Sequence, residues 1–495
     1  MRSDRKWRHS LIIFTQLIRN FARQLSDLLS ITALAVGLLG PVVASDTIAE
    51  PEVLGPQFLD LIVRDQLIQS NNSEKTAIVW EVDGDAYCSH TPPEGIENAF
   101  QFGDSSRWST SSTTPGPLTQ GDPMVLTYGF MLDGTQGNGF SCFVPGEIAG
   151  AASDLIAFLD RIHGAGPGGA DLTLRPWFSI FESAFDNWGV LNGIQYVYEP
   201  NDDGAGAGNG GAPGLVGVRA DLRIGGHFID GQIGSNVLAC NYFPNNGDMI
   251  IDTGNTVFYA PNPPEQRGFR NVLEHEHGHG MGISHVCPIN QSKLMEPFIS
   301  TAYLGAQEDD ILAANRGYGD RDESPIQNDT SVTATPLGAI AISETVTRTQ
   351  VSVDNTGDQD FYSFEAPVDA QASITVTPRG STYLNGSQNA NGSCSAGSSF
   401  NALTQSKLGF ELRGQSGINV IASANSLAAG VAEQTSNTPL NEGAGTYFVR
   451  IFGAQAKAQM YDLTVQLTQN QPQPQSDDLC LSLKMGNDKV ATFCL

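Results

Sequence analysis

The run His275-Glu276-His277-Gly278-His279-Gly280-Met281-Gly282-Ile283-Ser284-His285 holds four of the eight histidines in a chain of 495 residues. On a helix, His275 and His279 stand at i and i+4, so both imidazoles leave one face about one turn apart. That spacing suits two corners of a zinc tetrahedron. Glu276 is not required as a ligand, and a carboxylate beside the metal can take a proton from zinc-bound water. Gly282 matters for the backbone, because glycine adopts the left-handed conformation that ends a helix and turns the chain. The turn lets His285 return as a third ligand. Three protein ligands leave a fourth position open, which is the catalytic rather than the structural zinc pattern. His277 leaves another face and reads as an exposed histidine or one that supports the ligands.

The elements that must position these side chains follow from periodicity. The motif helix is expected over 270–281. Gly278 and Gly280 inside it each cost about 1 kcal/mol relative to alanine, which close packing against a sheet would explain. Strands are expected at 124–130, 194–199, 218–224, 237–244 and 248–252. Trp177, Ile180, Phe181, Ala184, Phe185 and Trp188 form an apolar stripe of period 3.6, a second helix whose aromatic face is core. A third helix is expected within 304–319, where Glu308-Asp309-Asp310 opens the first turn.

Beyond the histidines comes Leu294-Met295-Glu296-Pro297. A long zinc motif followed by a methionine turn resembles the metzincin clan of metallopeptidases, and the Leu-Met-x-Pro form is most similar to the matrixin family. The resemblance covers roughly 122–320. It implies an α+β catalytic domain, a twisted mixed sheet plus three helices. It implies one catalytic Zn2+ on His275, His279 and His285, with Glu276 as general base. Gly282, Met295 and Pro297 would support the site, Met295 as an apolar floor beneath the histidines. Leu238, Ala239, Cys240 and Asn241 would lie in the edge strand to which a peptide substrate adds by main-chain hydrogen bonds. The segment 297–299 would wall the pocket beside the metal. Many animal matrixins hold a second zinc on three histidines and an aspartate. Outside the motif and the leader this chain has only His90, His163 and His227, so such a site is not expected, and His227 reads as a loop histidine without partners.

Acidic residues number 53 against 26 basic, a formal charge of −27 that argues against nucleic acid and anionic membranes as partners. Loop carboxylates at Asp202, Asp203 and Asp252 admit Ca2+. A basic start and an apolar run over 28–39, with small residues at Val42 and Ala44, read as a signal peptide over 1–45. The run is short of the roughly 20 residues a membrane span needs. Seven cysteines in an exported chain imply disulfides with one left over. Cys480 and Cys494 flank a hairpin pattern and are the expected pair. Cys88 does not sit in the segment by which matrixins cap their zinc, and a disulfide or structural thiol is its favoured reading.

The remaining chain divides by composition. Residues 46–121 are an N-terminal extension or short propeptide, and 321–335 are a linker. Strand signals over 336–469 predict an all-β sandwich. Within it, Gly357-Asp358-Gln359-Asp360-Phe361-Tyr362 and Gly445-Thr446-Tyr447-Phe448-Val449 resemble the bacterial pre-peptidase C-terminal domain, which is appended to secreted peptidases. A Gln/Pro-rich linker and hairpin tail occupy 470–495. The expectation is a secreted, extracellular, bacterial zinc endopeptidase, monomeric and without membrane insertion, acting on protein or peptide substrates. The alternative is an extracellular adhesion or substrate-binding protein in which the sandwich carries the main role.

Overall fold

The computed structural model describes residues 106–136, 140–142, 147–208, 210–231, 237–263, 265–389, 392–470, 480–485 and 489–494, the last two by backbone alone. The expected leader, Cys88 and His90 lie outside the described residues. Everything described belongs to one compact unit, Asp65–Leu495.

The first half is built on a five-stranded sheet. Its strands are Met124–Phe130 (β1), Ile194–Tyr198 (β2), Leu222–His227 (β3), Ala239–Asn241 (β4) and Met249–Asp252 (β5), in the order β2-β1-β3-β5-β4. Four run parallel, and β4 alone lies antiparallel, at the edge beside β5. The sheet is mixed, as expected. β3 begins four residues later than the predicted 218–224. Residues 215–219 close a turn instead, with Leu215 paired to Arg219. Asp221 then spends its carboxylate on the N–H groups of Ser112 and Thr127, which holds the approach as loop.

Five helices accompany the sheet among the described residues: Leu155–His163 (α1), Phe178–Gly189 (α2), Thr256–Tyr259 (α3), Arg267–Met281 (α4) and Glu308–Tyr318 (α5). The expected three are α2, α4 and α5; α1 and the single turn α3 correct that count. In α1, Leu155, Phe158 and Leu159 face the core, but nine residues between loops give too short a window for a periodic signal. The aromatic stripe of α2 packs on β1, with Phe185 stacked on Tyr128 at 4.2 Å and Phe181 edge-on to Phe130 at 4.9 Å. A two-residue strand, Val286–Cys287 (β6), follows the third histidine.

The second half is a sandwich. Its strands are Thr335–Ala339 (β7), Thr345–Val353 (β8), Gln359–Ala366 (β9), Ala370–Pro378 (β10), Thr382–Ser387 (β11), Ser398–Asn401 (β12), Leu408–Arg413 (β13), Val420–Ala424 (β14), Glu433–Pro439 (β15), Gly445–Gly453 (β16) and Gln459–Gln469 (β17). One sheet runs β15-β10-β17-β8 and the other β14-β13-β16-β9-β7. Between them, Tyr362, Phe364, Val449 and Ile451 meet Ile374, Val376, Leu463 and Val465 in a core of buried, alternating side chains. β11 and β12 leave the sandwich: β12 pairs with β11, and β11 pairs with β6 of the first half. A terminal hairpin joins Cys480–Met485 (β18) to Lys489–Cys494 (β19) with Cys480 opposite Cys494; the side chains of the expected bridge lie outside the described residues.

The halves also meet at a buried polar junction. Arg316 of α5 donates to the Asp354 carbonyl, and Ser352 donates its N–H to Asp320. Asp320, Glu323, Asp354, Asp358 and Asp360 are all buried there. Desolvation first, then mutual repulsion, raises the carboxyl pKa values of Asp320, Glu323, Asp358 and Asp360. No described helix is long and apolar enough to cross a membrane.

Candidate metal centre

Helix α4 carries the first two histidines, and three glycines fit it to its surroundings. A Cβ on Gly278 would lie 2.3 Å from Met295 Sδ, and one on Gly280 would lie 2.7 Å from Asn241 Nδ2 of β4. These are the close approaches that justify glycine inside a helix. At Gly282 the backbone turns left-handed, φ 103°. The Gly282 N–H returns to His279 O and the Ile283 N–H to Gly278 O, which closes the helix. A side chain at Gly282 would also strike Ser106 O. Two of the helix's last carbonyls are satisfied by side chains far from it in sequence: Trp108 Nε1 donates to Gly280 O and Tyr318 Oη to Met281 O, each at 2.7 Å.

The turn brings His285 against the helix. Its Nε2 lies 3.1 Å from His279 Nε2 and 3.3 Å from His275 Nε2. The outward nitrogens are all engaged. Nδ1 of His275 lies 2.7 Å from Leu294 O, that of His279 2.8 Å from Ile283 O, and that of His285 2.9 Å from Gln388 Oε1. Those oxygens can only accept, so each Nδ1 carries the proton and each Nε2 presents its lone pair inward. Tetrahedral zinc with bonds of about 2.05 Å separates its ligand atoms by about 3.3 Å. The donor set therefore fits a zinc ion, and among the described residues this triad is the one group of three or more such side chains close enough to share a metal.

Glu276 is buried on α4 one residue past His275. His277 is buried rather than exposed. Its Nε2 lies 2.6 Å from Tyr196 Oη of β2, its ring is edge-on to Phe185, and burial holds its pKa down to about 3. It fastens the helix to the sheet.

Met295 is fully buried against Gly278 of α4, and its carbonyl accepts the Val286 N–H. Asp310, in the first turn of α5, accepts the N–H groups of Leu294 and Met295 at 2.7 and 3.0 Å, and that of Gln307 at 2.8 Å. In the sequence Asp310 is legible as a helix-start preference only; its reach across to the methionine turn depends on tertiary placement. Glu296 gathers the N–H groups of Asn290, Gln291 and Ser292 within 2.8 Å. Pro297 is buried, and Phe298 and Ile299 are half-buried.

Ala239, Cys240 and Asn241 form β4, with Leu238 immediately before it. Cys240 is bridged to Cys142. Phe243, just beyond, lies 5.5 Å from the His279 ring. Thus an edge strand runs beside the histidine helix. His227 is not a partnerless loop residue: it ends β3, is buried, and its Nε2 lies 2.7 Å from Glu147. The carboxylates that admit calcium also have protein partners. Asp202 pairs with Arg223 and Asp203 with Arg219, while Asp252 accepts the N–H groups of Ile229, Gly231 and Gly254.

The matrixin family model matches residues 220–319, from just before β3 to the end of α5. This stretch is thus similar to the matrixin metallopeptidases. Among solved structures, the pre-peptidase C-terminal domain of a collagenase from Bacillus anthracis matches at 15% identity over 27% of this chain and 96% of that one, TM-score 0.17. The periplasmic g-type lysozyme inhibitor PliG of Aeromonas hydrophila matches at 11% identity over 27% and 99%, TM-score 0.16. No curated protein matches the chain.

Proposed function

We propose that this chain is a secreted zinc endopeptidase of the metzincin clan, with its matrixin-like catalytic domain over 122–320 and a pre-peptidase C-terminal-like sandwich over 336–469. The observation that carries the reading is the triad: three Nε2 atoms turned inward at a spacing suited to zinc, with every Nδ1 committed to an acceptor. His275, His279 and His285 hold the ion. Zinc supplies Lewis-acid chemistry, polarising a carbonyl and acidifying water. Glu276 takes the proton of the attacking water and passes it to the leaving amine. The edge of β4, Leu238 to Asn241, receives the substrate backbone as an added strand, so recognition is generic in most side chains. Met295 and Pro297 close the floor and one wall against water.

Export through a signal peptide at 1–45 is supported by the disulfides Cys142–Cys240 and Cys287–Cys394, since such bridges persist in oxidising compartments. Residues 46–121 are assigned as the N-terminal extension, 321–335 as a connecting segment and 470–495 as the tail. The test is metal content together with cleavage of casein, for wild type and Glu276→Gln. One zinc in both, with chelator-sensitive cleavage by wild type alone, is the expected result. Absence of zinc from wild type overturns the reading, and a Gln variant that cleaves at the wild-type rate removes Glu276 as the base.

A further inference from the structure

The third metal ligand does not rest on its own domain. Its Nδ1 partner, Gln388, is 103 residues away in sequence, just after β11. Three features hold Gln388 there. Its Nε2 donates to Gly392 O at 2.9 Å, which fixes the amide so that Oε1 faces His285. β11 pairs with β6, Ser387 opposite Val286 and Gly386 opposite Cys287, so the strand carrying Gln388 is hydrogen-bonded to the residues directly after His285. Cys394, bridged in register with Gln388, forms a disulfide with Cys287. Farther along the hairpin, Asn385 donates to Asp309 of α5 and Ser381 to Glu308.

His275 and His279 find their Nδ1 acceptors in carbonyls of the peptidase segment itself, Leu294 and Ile283. A carbonyl fixed by the local fold serves any matching sequence, whereas the partner of His285 must be delivered. We propose that Gln388 is a positioning residue of the metal centre, and that the β11–β12 hairpin of the sandwich is thereby a working part of the peptidase site. The proposal rests on the zinc reading above. Gln388 acts through His285: by accepting the Nδ1 proton it selects the tautomer that leaves Nε2 free, and it orients the ring. Partners of this kind change metal affinity about 10- to 100-fold when lost. The disulfide and the β6–β11 pairing keep the hairpin seated while a substrate strand occupies the cleft.

The test is a zinc competition titration against a chromophoric chelator, on the full chain as wild type, Gln388→Ala and Gln388→Glu, with thermal unfolding of each in the metal-free state. Gln388 is half-buried, so alanine is tolerated by the fold. The expected result is zinc affinity about tenfold or more weaker in Gln388→Ala, affinity within about threefold of wild type in Gln388→Glu, which keeps an acceptor, and unchanged metal-free melting in both. Cobalt substitution should show an altered ligand-field spectrum in the alanine variant alone. Wild-type affinity in Gln388→Ala overturns the proposal. Equal loss in both variants overturns it too, because it points to hairpin packing rather than to the acceptor. If wild type binds no zinc, it is the zinc reading itself that fails.

Discussion

Gly278 illustrates how two effects at one residue compete. By helix propensity, Gly278→Ala should stabilise α4 by about 1 kcal/mol. The added methyl would lie 2.3 Å from Met295 Sδ and 2.9 Å from its Cε, however, and Met295 has no exposed surface into which to move. Overpacking of a filled core costs about 1–3 kcal/mol. The clash should win: Gly278→Ala is expected to lower the melting temperature and to weaken zinc binding, since Met295 lies directly under the ligand helix. Melting above wild type would show that the floor can give way. In the sequence the same glycine reads as close packing against a sheet, whereas the fold sets it against the Met295 side chain. Its neighbour across the space, 17 positions on, becomes visible only in the fold.

Among the elements, α5 matters to the site as much as α4. Asp310 ties the methionine turn to the start of α5 by accepting three N–H groups. Desolvation, the largest influence, pushes its carboxyl up to about 6, against which those donors pull down. Asp310→Ala strands the Leu294 and Met295 N–H groups in the core, at about 1–3 kcal/mol for each unsatisfied group. The expected outcome is a loss of about 2–4 kcal/mol in denaturant unfolding, with Asp310→Asn intermediate because one acceptor remains. Stability within error of wild type for the alanine variant would mean that the turn holds without it. β1, α2, α4 and α5 were readable because each is long and periodic. α1 and the β11–β12 hairpin were not. The hairpin is rich in Asn, Ser and Gly and carries little apolar alternation, because it is bound by main-chain pairing, a disulfide and polar contacts rather than by a buried face.

For the whole molecule, the buried carboxylates between the two halves set a pH dependence. Asp320 and Asp354 are raised to about 7, with desolvation leading in both. Asp358 and Asp360 stand well above their ordinary range for the same reason first, and then through repulsion, of Asp358 by Asp360 and Asp354 and of Asp360 by Asp320 and Asp322. Raised folded-state values mean that the folded chain holds protons that the unfolded chain releases. Stability should therefore fall as pH rises from about 4, where the unfolded carboxyls ionise, through about 7, where Asp320 and Asp354 ionise in the folded chain, and keep falling for as long as Asp358 and Asp360 hold their protons. Denaturation measured over that range in chelator, so that no cation replaces the protons, should show a steeper fall for wild type than for Asp358→Asn. Parallel curves would refute this account of the junction. The junction and the hairpin together make the sandwich an integral neighbour of the histidine helix rather than a module tethered to it.

What the chain encodes locally was readable without the fold: the i, i+4 histidines, the glycine that ends their helix, the third histidine, the methionine turn, and strands long enough to alternate. These depend on spacings of a few residues, and backbone geometry converts such spacings directly into directions in space. Packing settled the rest. It set which carbonyl or amide receives each imidazole proton, why Gly278 and Gly280 lack side chains, that Asp310 holds the methionine turn, and that Cys287 bonds to Cys394 rather than to a cysteine nearer in the chain. Each of these is a contact between residues brought together by packing, and hydrogen-bond and disulfide chemistry leaves no periodic trace at either end. Gln388 is the extreme case, a single amide in a polar stretch that meets His285 only because β11 is paired with β6.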